Sequence, residues 1–208
     1  MVFSFFVLSS QDGVLKIFDF GLAKEMKKVL AKGDGRYDMT GNTGSRRYMA
    51  PEVAKDQDYN ESVDVYSFGI LLWELCAAEK PFYGFGSGKH LQEVVLGGER
   101  PKMDSAHTAY WPNNLQWLMK KCWSQYTCVR PDFTTIKDVL KDILNGKHDI
   151  PSGLEDVEAS EEHASQVGCK RAGFFRVPSR TRNVSTSTIS TESTFKEMAR
   201  PGKNRRAR

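Results

Sequence analysis

Asp19-Phe20-Gly21 ends an apolar run, Val14 to Phe18, and Ala50-Pro51-Glu52 closes the polar loop that follows it. An acid at a strand end offers a hard oxygen ligand to a metal ion. The glycine two residues on lets the backbone swing, and Tyr37, Thr40, Thr43 and Ser45 put four hydroxyls in the loop. A phosphate on such a hydroxyl adds about −1.5 to −2 charge and can order a loop against arginines. The stretch reads as a metal-holding acid with a switchable cover. Taken singly, each residue also fits a plainer role as a strand-end turn acid, a turn glycine or a member of a solvated loop. The tripeptide alone is a weak signal, and the order of features after it gives it weight.

The elements around this stretch follow from pattern. Phe5 to Leu8 and Val14 to Phe18 read as two strands of a hairpin turned at Asp12-Gly13. A signal-peptide reading of the first residues ranks second, because no basic start precedes the apolar run. Pro51 suits the first position of a short helix. From Ser62 to about Ala78 apolar residues cover every side of a helical wheel, which predicts a buried central helix. Asp64, Ser67 and Glu74 interrupt it, and at roughly 25 Å it is too short and polar to span a membrane. Gly84 to Lys89 lacks the phosphate-loop spacing and reads as a connector. Further helices are predicted over His90 to Leu96, closed by Gly97-Gly98, from a cap at Asn113, and from a cap at Asp132 to Asn145-Gly146.

Charge divides the chain of 208 residues. Residues 1–154 carry 19 Lys/Arg and 19 Asp/Glu, residues 155–167 five acids and no base, and residues 168–208 eleven bases and two acids, so the net +4 belongs to the end. This predicts a folded unit over 1–150 and a disordered, acidic-then-basic, Ser/Thr-rich tail over 151–208. Lys203 to Arg208 could form a nuclear-import or nucleic-acid arm, but a solvated, phosphorylatable tail ranks above it. The four cysteines (Cys76, Cys122, Cys128, Cys169) form no C-x-x-C pair and read as buried reduced thiols of a cytoplasmic protein, with the nucleus as a second location. No zinc site is suggested. The histidines, His90, His107, His148 and His163, form no ligand spacing.

Four motifs in fixed order now carry a resemblance: Leu15 through Asp19-Phe20-Gly21 to Lys24, Gly44 to Glu52, Asp64 to Leu75, and Cys122-Trp123 through Arg130-Pro131. Together they resemble the C-terminal lobe of a eukaryotic protein kinase over about residues 5 to 147, far more specifically than a lone D-F-G. Trp73 and Cys122-Trp123 look most like the tyrosine-kinase-like group of serine/threonine kinases. The resemblance implies a kinase-like α+β fold, here a mostly helical lobe with a short β-hairpin and no N-terminal lobe. It implies ATP and magnesium as cofactors and a protein substrate or docking partner, with no membrane. Asp19 matches the magnesium ligand, and Phe20 and Gly21 the rest of that nucleotide-site motif. Tyr37, Thr40 and Thr43 fall where an activation-loop phosphate would. Ser45 stands where the family usually has threonine in the loop that receives substrate, and it keeps the hydroxyl. Glu52 and Arg130 match a structural pair that ties the segment to the helical floor. Asp64 matches the acid that holds the catalytic-loop backbone, or else simply complements a helix dipole.

The glycine-rich loop, the lysine–glutamate pair and H-R-D-x-x-x-x-N of the family are absent from these 208 residues. By the resemblance the catalytic Asp would fall before Met1, and losing that base alone costs about 10² to 10⁴ in rate. The expectation is therefore a truncated kinase domain, inactive alone. The alternative is a non-catalytic, pseudokinase-like binding module using the substrate-docking face.

Overall fold

The computed structural model describes residues 6–9, 15–18, 20–27, 30–33, 35–42, 44–103 and 108–150. The predicted hairpin is present. β1 (Phe6–Ser9) pairs antiparallel with β2 (Leu15–Phe18), with Phe6 opposite Phe18 and Ser9 opposite Leu15. The Asp12-Gly13 turn and the residue 151–208 tail lie outside the described residues, as do Asp19 and Thr43.

The body is helical. α1 (Pro51–Ala54) begins on its proline, as the missing N–H there allows. α2 (Ser62–Ala77) is the long central helix. Its first turn is closed from outside by Asn60, whose side-chain oxygen accepts from the Ser62 backbone N–H at 3.1 Å and from its hydroxyl at 2.7 Å. α4 (Asn113–Cys122) packs across α2, and α5 (Phe133–Leu144) packs on α4. Asp132 caps α5 as expected, accepting from the Thr135 N–H at 2.8 Å.

The core has two parts that meet at α2. One gathers Val63, Tyr66 and Ile70 of α2 with Met49, Val53, Tyr59, Leu115 and Met119. The other joins Val65 to Trp117, Leu118 and Cys122 of α4 and to Ile136 and Val139 of α5. Each such side chain contributes about 1.5–3 kcal/mol on burial before entropy is charged. Gly69 of α2 faces Cys122 of α4 closely, since a Cβ there would come within 2.6 Å of Cys122 Cβ. A mid-helix glycine costs about 1 kcal/mol, and here it permits that contact.

The structure departs from the pattern reading in several places. The helix expected at His90 starts earlier: α3 (Ser87–Lys89) runs directly into a π-helical segment, His90–Leu96, so the last residues of the expected connector are helical. Asn113 is the first residue of α4 rather than its cap, which is Pro112. Asn114, one residue on, instead donates to the Lys147 carbonyl at 2.9 Å and fastens the start of α4 to the end of α5. α2 is not buried all round, because Leu75 and Cys76 in its last turns are exposed. Phe133 and Leu144 at the two ends of the α5 stripe are also exposed. Cys76 and Cys122 are free thiols, but Cys128 is disulfide-bonded, against the expectation of reduced thiols. Among the described residues no helix is long and apolar enough to cross a membrane.

Candidate functional site

The segment between β2 and α1 lies against the helical body and is fastened to it at separate points. After β2 the chain takes one 3-10 turn, Phe20–Leu22, with Phe20 and Gly21 both exposed. Tyr37 forms a single antiparallel bridge with Tyr59, with N···O distances of 3.0 and 3.3 Å. Tyr59 is buried, and its hydroxyl donates to the Thr40 carbonyl at 2.9 Å. Burial, with Asp64 and Asp56 nearby, pushes the Tyr59 phenol up to about 12, so it remains a donor. Gly41 presses against Asp56 so closely that any Cβ would strike its backbone. The next N–H, that of Asn42, donates to the Val53 carbonyl of α1 at 2.9 Å.

The hydroxyls stand on this track in different settings. Thr40 is exposed, and its Oγ1 accepts from the Lys24 ammonium at 2.9 Å. Tyr37 is half-buried. Ser45 is exposed and opens a 3-10 turn, Arg46–Tyr48, its carbonyl accepting from the Tyr48 N–H at 3.1 Å. That turn is held by three side chains. Arg46 donates to the Ser87 hydroxyl, Arg47 to the Pro81 carbonyl, and the Tyr48 hydroxyl to Glu74 at 2.5 Å. The Tyr48 carbonyl in turn accepts from the Ser67 hydroxyl of α2 at 2.8 Å. Burial, the Glu74 hydrogen bond and the Glu74 charge all raise the Tyr48 pKa and keep it protonated.

Glu52 and Arg130 are brought together across 78 positions of sequence. The pair is buried and bidentate, Nη1 to Oε1 at 2.5 Å and Nη2 to Oε2 at 3.0 Å. Arg130 also donates to the Ser124 and Ser62 carbonyls at 3.0 and 3.1 Å, which satisfies a charge that would otherwise be costly inside the protein. Two guanidinium groups lie over the Tyr66 ring, those of Arg100 and Arg130, at 5.1 and 5.2 Å from its centroid. Asp64 is buried at the start of α2, and burial is the first cause that raises its pKa to about 6.

Gly41, Arg46, Arg47, Tyr48, Tyr59 and Ser67 also hold the segment and were not singled out in the sequence. None of them carried a distinguishing local signal, since glycines also stand at positions 33, 35 and 44 of the same loop. Among the described residues no group of three or more His, Cys, Asp or Glu could hold a metal ion.

The described residues form a helical body with one hairpin and a long tethered segment between them. Residues 6–140 match the protein tyrosine and serine/threonine kinase family, and the chain belongs to that family. It is 37% identical to the dual specificity protein kinase shkB of Dictyostelium discoideum, over 66% of this chain and 20% of that protein. It is likewise 37% identical to the serine/threonine-protein kinase VIK of Arabidopsis thaliana, over 70% of this chain and 31% of the relative. With the serine/threonine/tyrosine-protein kinase HT1 of the same plant it shares 43% identity, over 49% of this chain and 25% of the relative. The chain thus spans less than a third of the length of each of these relatives.

Proposed function

We propose that this chain is the helical, C-terminal lobe of a tyrosine-kinase-like protein kinase. The activity it serves is transfer of the γ-phosphoryl group of ATP to serine and threonine hydroxyls of protein substrates. The observation that carries this reading is the buried Glu52–Arg130 pair, which anchors a hydroxyl-bearing segment to the helical floor in a member of the kinase family.

In this reading each residue has a physical task. Glu52 and Arg130 fix the end of the segment, so Ser45, seven residues before Glu52, meets substrate from a defined position. Thr40 is the hydroxyl best set to take a regulatory phosphate, because Lys24 already reaches its oxygen. Asp19 holds magnesium. Its carboxylate would give the ion a hard oxygen ligand. ATP, when bound, supplies the phosphoryl group, and Asp64 supports the floor from the start of α2. A cytoplasmic setting suits an ATP-dependent enzyme.

Sequencing the transcript upstream of Met1 tests the reading. An in-frame H-R-D motif and glycine-rich loop is expected. The polypeptide containing them should label protein serine and threonine from radiolabelled ATP, and Asp19→Asn should abolish that labelling. The 208-residue chain alone should give no transfer above its own Asp19→Asn control. A stop codon close upstream would overturn the kinase reading and leave a non-catalytic, pseudokinase-like binding module.

A further inference from the structure

A cavity of about 310 Å³ opens between the second half of α2, the loop at 79–85 and the stretch at 99–102. Its apolar walls are Trp73, Phe82, Tyr83, Phe85 and Pro101. This volume lies at the lower end of the range for small-molecule sites, about 300–1,000 Å³, which are typically apolar with a few placed polar groups. Two of these walls are held by contacts of their own. Trp73 donates its indole N–H to the Lys102 carbonyl at 3.0 Å. Phe82 is held at φ +54°, a left-handed conformation that bulky residues rarely adopt and that persists where the surroundings enforce it. Its ring meets Phe85 at 5.8 Å and stands edge-on to buried His90 at 5.3 Å.

Arg100 lines the same cavity. Its guanidinium donates to the carbonyls of Trp123, Val94 and Glu99 and to Gln125 Oε1, all neutral acceptors. Four of its five N–H donors are thus used, and it forms no ion pair among the described residues, with the Glu52 carboxylate acting on it only at longer range. A largely buried charge in that state favours an anion in the adjoining space. The other charged lining groups are Lys80 and Lys102 against Glu79 and Glu99, which leaves the lining net positive. The field extends to His90, whose pKa falls to about 4 through burial and then through Arg46, Arg47 and Arg100.

We propose that this cavity binds a small aromatic carboxylate, its ring among Trp73, Phe82, Tyr83 and Phe85 and its carboxylate toward Arg100 and Lys102. The inference is independent of the phosphotransfer reading and needs no nucleotide. The test is titration calorimetry of the 208-residue chain with indole-3-propionate and with its neutral amide. The carboxylate should bind about tenfold more tightly than the amide, as a charge-assisted contact requires. Arg100→Gln should remove that preference. Arg100 also bonds to Trp123 and Gln125, so two exposed positions give variants that do not disturb the core. Lys102→Ala should narrow the preference, and Tyr83→Ala should weaken both ligands by about threefold. Absence of saturable binding, equal affinity for acid and amide, or affinities unchanged in Lys102→Ala and Tyr83→Ala would each overturn the proposal.

Discussion

The segment from Phe20 to Tyr48 and the body formed by α2, α4 and α5 treat similar residues in opposite ways. In the body, Tyr66, Ile70, Leu118 and Met119 are wholly buried, and one side chain locks the next. In the segment, Phe20, Leu22 and Leu30 are exposed, and order comes from isolated fastenings at Tyr37, Asn42, Tyr48 and Glu52. Few buried contacts mean a low free energy of local opening. The segment can therefore change position while the body stays folded, which a switch requires. The Glu52–Arg130 pair belongs to both regions, since it is packed like the body but joins the segment to it.

The largest effect should come from breaking that joint. Glu52→Gln leaves the Arg130 guanidinium buried beside an uncharged group, and the loss should be about 3–5 kcal/mol, read from the urea midpoint. Replacing both, Glu52→Gln with Arg130→Met, should recover part of it. A single variant within about 1 kcal/mol of the parent would show that the pair does not join the two regions.

Inside the body alone, Gly69→Ala should cost about 1–3 kcal/mol through the clash with Cys122, with no change in hydrogen exchange over residues 20–42. Exchange that rises in the segment as well would mean that the two regions are not separable.

Two buried groups report on the boundary through pH. Asp64 is raised from 3.8 to about 6, so the folded state holds its proton more tightly. Its stabilising contribution is complete below about pH 4 and is lost as pH rises through about 6. Asp64→Asn should therefore gain on the parent over that window. His90 runs the other way, lowered from 6.5 to about 4. The neutral ring is favoured on folding, so its contribution is present above about pH 6.5 and disappears as pH falls through about 4. His90→Gln should be less acid-sensitive than the parent. Arg46 and Arg47 of the segment depress His90, so Arg47→Gln should move its titration, followed by NMR, back toward the ordinary value. An unmoved titration would show that the segment's charge does not reach the body.

Much of this body was legible in the sequence because local signals were strong. Pro51, Asp132 and Gly146 mark helix ends, and the apolar run after Ser62 leaves only a central helix. Motif order also singled out Glu52 and Arg130, although nothing local predicts a contact across 78 positions. What stayed hidden depends on tertiary fit. The π-helical His90–Leu96, the left-handed Phe82 and the clamps from Arg46 and Arg47 to Ser87 and Pro81 have no periodic signature. Periodicity also overstated burial at Leu75, Phe133 and Leu144, since an apolar residue is compatible with exposure and only its neighbours decide.

The smallest expected effect sharpens the comparison most. Lys24 and Thr40 are both exposed, so their contact at 2.9 Å should contribute under about 0.5 kcal/mol to global stability. Thr40→Glu places a carboxylate beside the Lys24 ammonium, and attraction between two charges then acts where the ammonium met a neutral hydroxyl before. The urea midpoint should stay put, because unfolding the body does not depend on this contact. Hydrogen exchange across residues 20–42 should slow by about twofold, because local opening must break the new ion pair. Lys24→Ala in the Thr40→Glu background should return exchange to the parent rate. Protection that survives loss of Lys24 would mean that the charge acts on the body rather than within the segment, and the separation of the two regions would fail at Thr40.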